Sequence, residues 1–257
     1  MASLAELAAF LDSTLCIEAI PDYPNAVNGV QLANDGPIDH IATAVDFSSR
    51  TVAGTIEAGA SLLLVHHGMF WGGVQAITGH RHRRIRDLIS NDVAVYAAHL
   101  PLDVHPELGN NALLAQWLGL TPTGGFARYQ TIDVGVSGTA DQPTADLAER
   151  AVQLARAHGG NAVVTPFESG RVTRRFGICT GAGADTTTLR EAVTRGLDTL
   201  IVGEGPHHTA VEASEVGVVI IYAGHYATET LGVRAVGDSL AQRFGVRTSF
   251  IAAPTGL

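Results

Sequence analysis

Along the first half of this sequence, short apolar runs alternate with segments of helical period, and few architectures accept that order. "HIATAVDF" (40–47) precedes "SRTVAGTIEAGA" (49–60), "SLLLVHH" (61–67) precedes "RHRRIRDLISND" (81–92), and "VAVYAAHL" (93–100) precedes "NNALLAQWLGL" (110–120). Strand runs interleaved with helices predict an α/β fold, with a mostly parallel sheet covered by helices. The Gly/Pro cluster at Pro122–Gly125 is the strongest internal punctuation. It predicts a first α/β unit over residues 1–124 and a second over 125–257.

The second half repeats the first. "YAAHLPLD" (96–103) aligns with "YAGHYATE" (222–229), which sets Tyr96 on Tyr222, His99 on His225 and Asp103 on Glu229. The same offset carries "LAQWLGL" (114–120) onto "LAQRFGV" (240–246). Amphipathic helices share apolar spacing by chance, but not identical polar residues, so the pattern implies internal duplication of one α/β unit. After an indel, "IEAGASLLLVHHG" resembles "VTRGLDTLIVGEG", placing Gly203 and Glu204 opposite His66 and His67.

Ligands of α/β sheets gather beyond the carboxyl ends of the strands, and His66, His67, His99 and His225 all fall at such ends. Where the strand relaxes at Gly68, both imidazoles of the pair can reach one cavity, and two neighbouring metal ions suit them better than one. Pro101 between His99 and Asp103 predicts a strand end entering a turn, not a helical pair. His225 and Glu229 instead open an amphipathic helix whose first turn stacks them on one face. Imidazoles and carboxylates without cysteine suit Zn, Mn, Fe or Ni. A carboxylate such as Glu229 can bridge two ions about 3.5–4 Å apart, as in two-metal hydrolytic sites. His105, His207 and His208 are expected to be structural or to support the ligands from behind. Two weaker features are Arg81, Arg83, Arg84 and Arg86, which read first as a solvated helix face and second as a phosphate site, and "TGAGADTTTLREA" (180–192), a Gly-rich turn before a helix that could cradle an anion.

The bulk numbers exclude several classes. The chain has 257 residues, 46% of them hydrophobic, enough for a large core. With 16 Lys and Arg against 25 Asp and Glu, its net charge of −9 disfavours nucleic acid and anionic membranes as partners. Two cysteines, Cys16 and Cys179, form neither a disulfide framework nor a zinc cluster and suit a reducing, cytoplasmic setting. "MASLAELAAFLDSTL" reads as an amphipathic helix capped by Ser3 and not as a signal peptide, and no apolar run is long enough to span a membrane.

The motifs "VHHGMFWGG", "HLPLDVHPELGNN" and "GHYATETLGV", with "NGVQ" near the start and "GEGPHH", closely resemble those of the Nif-three-like (NGG-interacting factor three) family, whose members are often described as GTP cyclohydrolase 1 type 2 homologs. The similarity spans almost the whole chain and matches the short bacterial form without an inserted domain. It implies two intertwined three-layer α/β/α units, a toroidal homohexamer and a dinuclear metal centre between the units. Carried over by position, the ligands would be His66, His67, Asp103, His225 and Glu229, with Glu229 bridging two divalent ions. His99 occupies a motif position at the site, as a ligand or as the group that moves protons. "HHG" stands where the wider family commonly has "HHP".

Together these readings lead to a metal-dependent hydrolase of a small molecule, a nucleotide or a cyclic amide, with His99 as general acid or base. Two alternatives require the same ligands: a protein that stores, delivers or senses metal, and a ring-shaped regulatory adaptor whose metal is structural.

Overall fold

The computed structural model describes residues Met1–Leu257, and the chain divides into two compact units. The first comprises Met1–Leu102 and Gly232–Ala253, the second Asp103–Leu231 and Pro254–Leu257. Residues 103–124 therefore group with the second sheet and residues 232–253 with the first, where the sequence reading placed one division at 124/125.

In chain order the first unit begins with α1 (Leu4–Thr14), β1 (Gly29–Leu32), β2 (His40–Asp46), α2 (Ser49–Glu57), β3 (Leu62–His67), α3 (Gly79–Ser90) and β4 (Ala94–Ala97). The Ser3 hydroxyl accepts from the Glu6 N–H while the Glu6 carboxylate accepts from the Ser3 N–H, so the cap expected at Ser3 is present as a reciprocal capping box. α4 (Leu100–Asp103) then crosses the boundary as a single helical turn. Here the turn expected at 99–103 is helical after all: Pro101 falls inside the first turn, where its missing N–H costs no intrahelical bond.

The second unit contains α5 (Asn110–Leu118), β5 (Gly124–Tyr129), β6 (Ile132–Pro143), α6 (Thr144–Ala157), β7 (Val163–Val164), β8 (Val172–Cys179), α7 (Thr186–Thr194), β9 (Thr199–Val202), α8 (His207–Glu215) and β10 (Val219–Tyr222). α9 (His225–Phe244) starts in the second unit and continues into the first, which β11 (Arg247–Phe250) completes.

The first sheet has the order β1-β4-β3-β2-β11, all parallel except β1, and the second the order β5-β6-β8-β9-β10-β7. In the second, β8, β9 and β10 are parallel, while β5, β6 and β7 join antiparallel. Both sheets thus contain three parallel strands followed by an antiparallel edge, β2-β3-β4-β1 in one and β8-β9-β10-β7 in the other. This correspondence has the register expected of a duplicated unit, with β3 matching β9 and β4 matching β10.

The period-2 alternation of the strands builds the layers. Ile201 on β9 packs with Leu114 and Leu118 of α5 and Leu147 and Leu154 of α6, while its neighbours Leu200 and Val202 pack with Leu189 of α7 and Ala213 of α8. The same alternation explains why α5 belongs to the second unit: its apolar face is covered by Phe176 and Ile178 of β8. In the first unit Leu63, Val65 and Val95 meet Val52 of α2 and Leu88 of α3. On the opposite face, Tyr96 of β4 donates its hydroxyl to Asp12 of α1 at 2.6 Å, and Gly237 of α9 approaches Thr43 of β2. Both units are three-layer α/β/α structures.

Candidate functional site

β3 is the middle strand of the parallel run, so its carboxyl end is flanked by the ends of β2 and β4. His66 is fully buried there and His67 partly so. The Nδ1 of His66 lies 2.9 Å from the carbonyl oxygen of Ala98, which follows β4; a carbonyl only accepts, so Nδ1 carries the proton. Across the ladder, Asp46 of β2 is the register partner of His67, and its Oδ1 accepts from His67 Nδ1 at 2.9 Å.

His99 is held in the same manner from a greater distance along the chain. Its Nδ1 meets Oδ1 of Asp22 at 2.8 Å, and its backbone N–H donates to Asn28 Oδ1 at 2.8 Å. The Asn28 amide donates in turn to the other oxygen of Asp22 at 2.8 Å. Burial raises the Asp22 carboxyl, but the His99 imidazole and the amides around it prevail and hold it below its ordinary value. With a proton on Nδ1 in all three rings, Nε2 is the nitrogen that each ring can offer to a metal, the arrangement that metal-binding histidines adopt. One donor nitrogen from each of His66, His67 and His99 lies within 4.8 Å of the others, a group that could hold a metal ion.

Two further residues complete this end of the unit. Gln31 accepts from the Met69 N–H at 2.7 Å and donates to the carbonyls of Ala26 and Val27, and a Cβ on Gly68 would meet its amide at 2.3 Å. The glycine after the histidine pair is therefore fitted to the Gln31 side chain, and "NGVQ" serves to clamp the loops that follow β3 and β4. Trp71 packs its indole against the rings of His99 and His67, with centroids 4.5 and 5.4 Å apart, and Tyr23 lies edge-on to Trp71. The histidines have an aromatic wall.

In the second unit, His225 and Glu229 open α9 on one face, as the sequence predicted. His225 Nε2 and Glu229 Oε2 are 3.2 Å apart, close to the roughly 3.4 Å that separates two ligands of one tetrahedral ion. His225 Nδ1 meets Glu204 Oε1 at 2.8 Å. Burial works against the imidazolium, but hydrogen bonds and charge from Glu229 and Glu204 overcome it and raise the pKa to about 9. By the duplication Glu204 occupies the position of His67, so one repeat has a candidate ligand where the other has the carboxylate that orients one.

Asp103, the third candidate in this unit, is buried, and its Oδ1 accepts from Asn110 Nδ2 at 2.8 Å. Asn111 bonds the Asp103 carbonyl and receives the Thr180 N–H at 2.9 Å, which ties "GNN" to the turn after β8. Gly181 in that turn has φ +63°, and a Cβ there would lie 2.2 Å from Glu229 Oε1 and 3.4 Å from His225 Nε2. Only a glycine leaves this carboxylate its place. Cys179 beside the turn is buried, which with the nearby carboxylates pushes its thiol up, so it stays protonated and offers no thiolate.

The remaining sequence candidates take other roles. His105 accepts two backbone N–H groups through Nδ1, and His207 and His208 are exposed at the start of α8. The amino end of α7 is capped by its own Asp185, whose carboxylate takes the N–H an anion would use. Asp22 and Asp46 carry no functional signal in the sequence, whereas Glu204 stands there only opposite His67, and Thr180 and Gly181 only within the turn offered as an anion cradle. "NGVQ", the "GNN" run and "GEGPHH", as parts of the family motifs, signalled groups that hold the loops and His225.

This donor set fits divalent metal: imidazoles anchored through Nδ1 in one unit, and a histidine with buried carboxylates in the other. No helix is long and apolar enough to cross a membrane. The family model for DUF34/NIF3 (NGG1p interacting factor 3) matches residues 2–255. A relative from Deinococcus radiodurans, called GTP cyclohydrolase 1 type 2 homolog, is 41% identical over 98% of this chain and 94% of its own length. Among solved structures, TTHA1606 from Thermus thermophilus superposes with a TM-score of 0.85 at 35% identity, covering 99% of this chain and 100% of that one. The protein ybgI, described as of unknown function, gives 0.88 at 32% identity with the same coverage. With its motifs, its duplicated sheets and this match along nearly its full length, the chain belongs to the DUF34/NIF3 family.

Proposed function

We propose that this protein is a metal-dependent hydrolase acting on a nucleotide or cyclic amide, with His66, His67, Asp103, His225 and Glu229 as ligands of two divalent ions. The observation that carries the reading is the repeated anchoring of Nδ1. Ala98, Asp46, Asp22 and Glu204 each accept from Nδ1 of one candidate histidine, which leaves the opposite nitrogen as the one to offer a metal ion. The name borne by the relatives, GTP cyclohydrolase 1 type 2 homolog, supports ring-opening hydrolysis as the class of reaction.

When bound, divalent ions supply Lewis acidity that activates water and the electrophilic carbon. The protein's part is proton transfer and exclusion of solvent. Asp22 holds the His99 Nδ1 proton and stabilises the imidazolium formed when Nε2 takes up a proton, so His99 can accept a proton at Nε2 and return it to a leaving nitrogen. Trp71 and Tyr23 shield this ring from water on one side.

A homohexamer in a reducing compartment accompanies this reading; two free cysteines support the compartment, and light scattering of the purified protein tests the assembly. The decisive experiment is elemental analysis of protein purified without added metal, followed by assays against nucleotides and cyclic amides. Turnover that chelator abolishes and metal restores is expected; metal-loaded protein that turns over nothing in that set refutes the hydrolase. One observation favours a second reading, metal storage or delivery. His99 stands with His66 and His67 as a possible third ligand, so His99→Ala would then lower metal content instead of only the rate.

A further inference from the structure

Beside the β3 end, α3 and the loop after His67 enclose a cavity of about 200 Å³ that none of the candidate ligands lines. Arg81 and Arg84, three apart on α3, both face it, whereas Arg83 is exposed and Arg86 is paired with Asp87. Neither Arg81 nor Arg84 has a carboxylate partner. Arg84 is fixed in place: Nη1 donates to the Phe47 carbonyl at 3.1 Å and the guanidinium lies over the Phe47 ring at 4.8 Å. Its Nε–H is shut off from solvent and has no acceptor. Burial and the charge of Arg81 both disfavour the Arg84 cation, so the molecule keeps two like charges together without a counter-charge.

Apart from Gln75, whose amide donates to the Gly72 carbonyl, and Gly73, the rest of the lining is apolar side chains, with Phe47 and Phe70 as walls and Val74 and Ile77 exposed at the mouth. The cavity also adjoins the candidate metal ligands through the backbone, because the Phe47 N–H donates to the His67 carbonyl at 2.9 Å. Its volume is below the several hundred cubic ångströms of a complete small-molecule site, which suits part of a ligand.

We propose that this cavity is an anion subsite that binds the phosphate of a phosphomonoester between Arg81 and Arg84, with an apolar ring of the same molecule against Phe47 and Phe70. Guanidinium forks match phosphate oxygens, and the apolar walls strengthen the charge-assisted bonds by excluding water. As an account of substrate class it rests on the hydrolase reading, which it narrows to phosphorylated ring compounds; as a binding site it stands without it.

Calorimetric titration of chelator-treated full-length protein with phenyl phosphate tests the site apart from turnover. Saturable binding is expected, weakened about tenfold or more in Arg81→Gln and in Arg84→Gln, with phenol binding far more weakly than phenyl phosphate. Arg81 makes no side-chain bond, so Arg81→Gln keeps the test valid if Arg84→Gln, which loses the Phe47 contacts, fails to fold. The proposal is overturned by no saturable binding, by equal affinity for Arg81→Gln and wild type, by phenol binding as tightly, or by binding only when metal is restored. If the arginine-dependent binding holds and the metal-loaded protein hydrolyses nothing, the hydrolase reading fails and the anion site remains.

Discussion

The His99 imidazole and the Asp22 carboxylate form a buried pair, Nδ1 to Oδ1 at 2.8 Å, joining residues 77 positions apart in the chain. Asp22 also receives the Leu100 N–H at 2.9 Å, so one carboxylate fixes both the ring and the backbone that carries it. Asp22→Asn retains the shape but frees the ring to adopt the other tautomer. Activity should fall about 10–100-fold, as for other losses of an orienting partner, with the fold retained by circular dichroism.

The same pair makes stability depend on pH. The carboxyl of Asp22 is held below its ordinary value in the folded protein, so its contribution is present above the unfolded pKa of about 3.9 and is lost as pH falls through the lower folded value. Urea denaturation should show wild type more stable than Asp22→Asn by about 1–3 kcal/mol at pH 7. The gap should close in acid below pH ~3.9; a gap constant down to that range would show that charge is not its source.

Gly181→Ala should be costly for two independent reasons, a positive φ and a Cβ placed 2.2 Å from Glu229 Oε1. A loss of about 1–3 kcal/mol in unfolding free energy is expected, with reduced metal content at equal total protein. Metal content equal to wild type would separate the turn from the candidate ligands.

Chelator treatment should lower the melting temperature, and readded metal should restore it, because an ion that binds only the folded chain stabilises it by about 2.7 kcal/mol at a hundredfold excess over Kd. His66→Ala should abolish this response. If the metal is catalytic, the variant should melt near the chelated wild type; if it is structural, the variant should not fold.

The two thiols should differ sharply in reactivity. Cys16 is exposed, while Cys179 is buried with its thiol held protonated. Iodoacetamide at pH 8 should modify one cysteine in the native protein, identified as Cys16 by peptide mapping, and both in denaturant.

Sequence alone determined what depends on near neighbours. The strand runs, the helix opened by His225, the Ser3 cap and the doubled His/acid pattern are periodic or local, and each stands in the structure where the residues placed it. The same periodicity implied parallel sheets covered by helices, and the family resemblance implied the three-layer units. Tertiary structure decided what depends on residues far apart. It showed that 103–124 joins the second sheet, because the apolar face of α5 is completed by β8, and that Pro101 lies inside a helical turn. It also supplied the acceptors Asp22, Asp46 and Glu204, the Gly181 cradle, and the division of the α3 arginines into two that face a cavity and two that face water. A hydrogen bond across 21 or 77 residues leaves no period in the chain, and a glycine kept small by a distant carboxylate reads like any other glycine until the two are folded together.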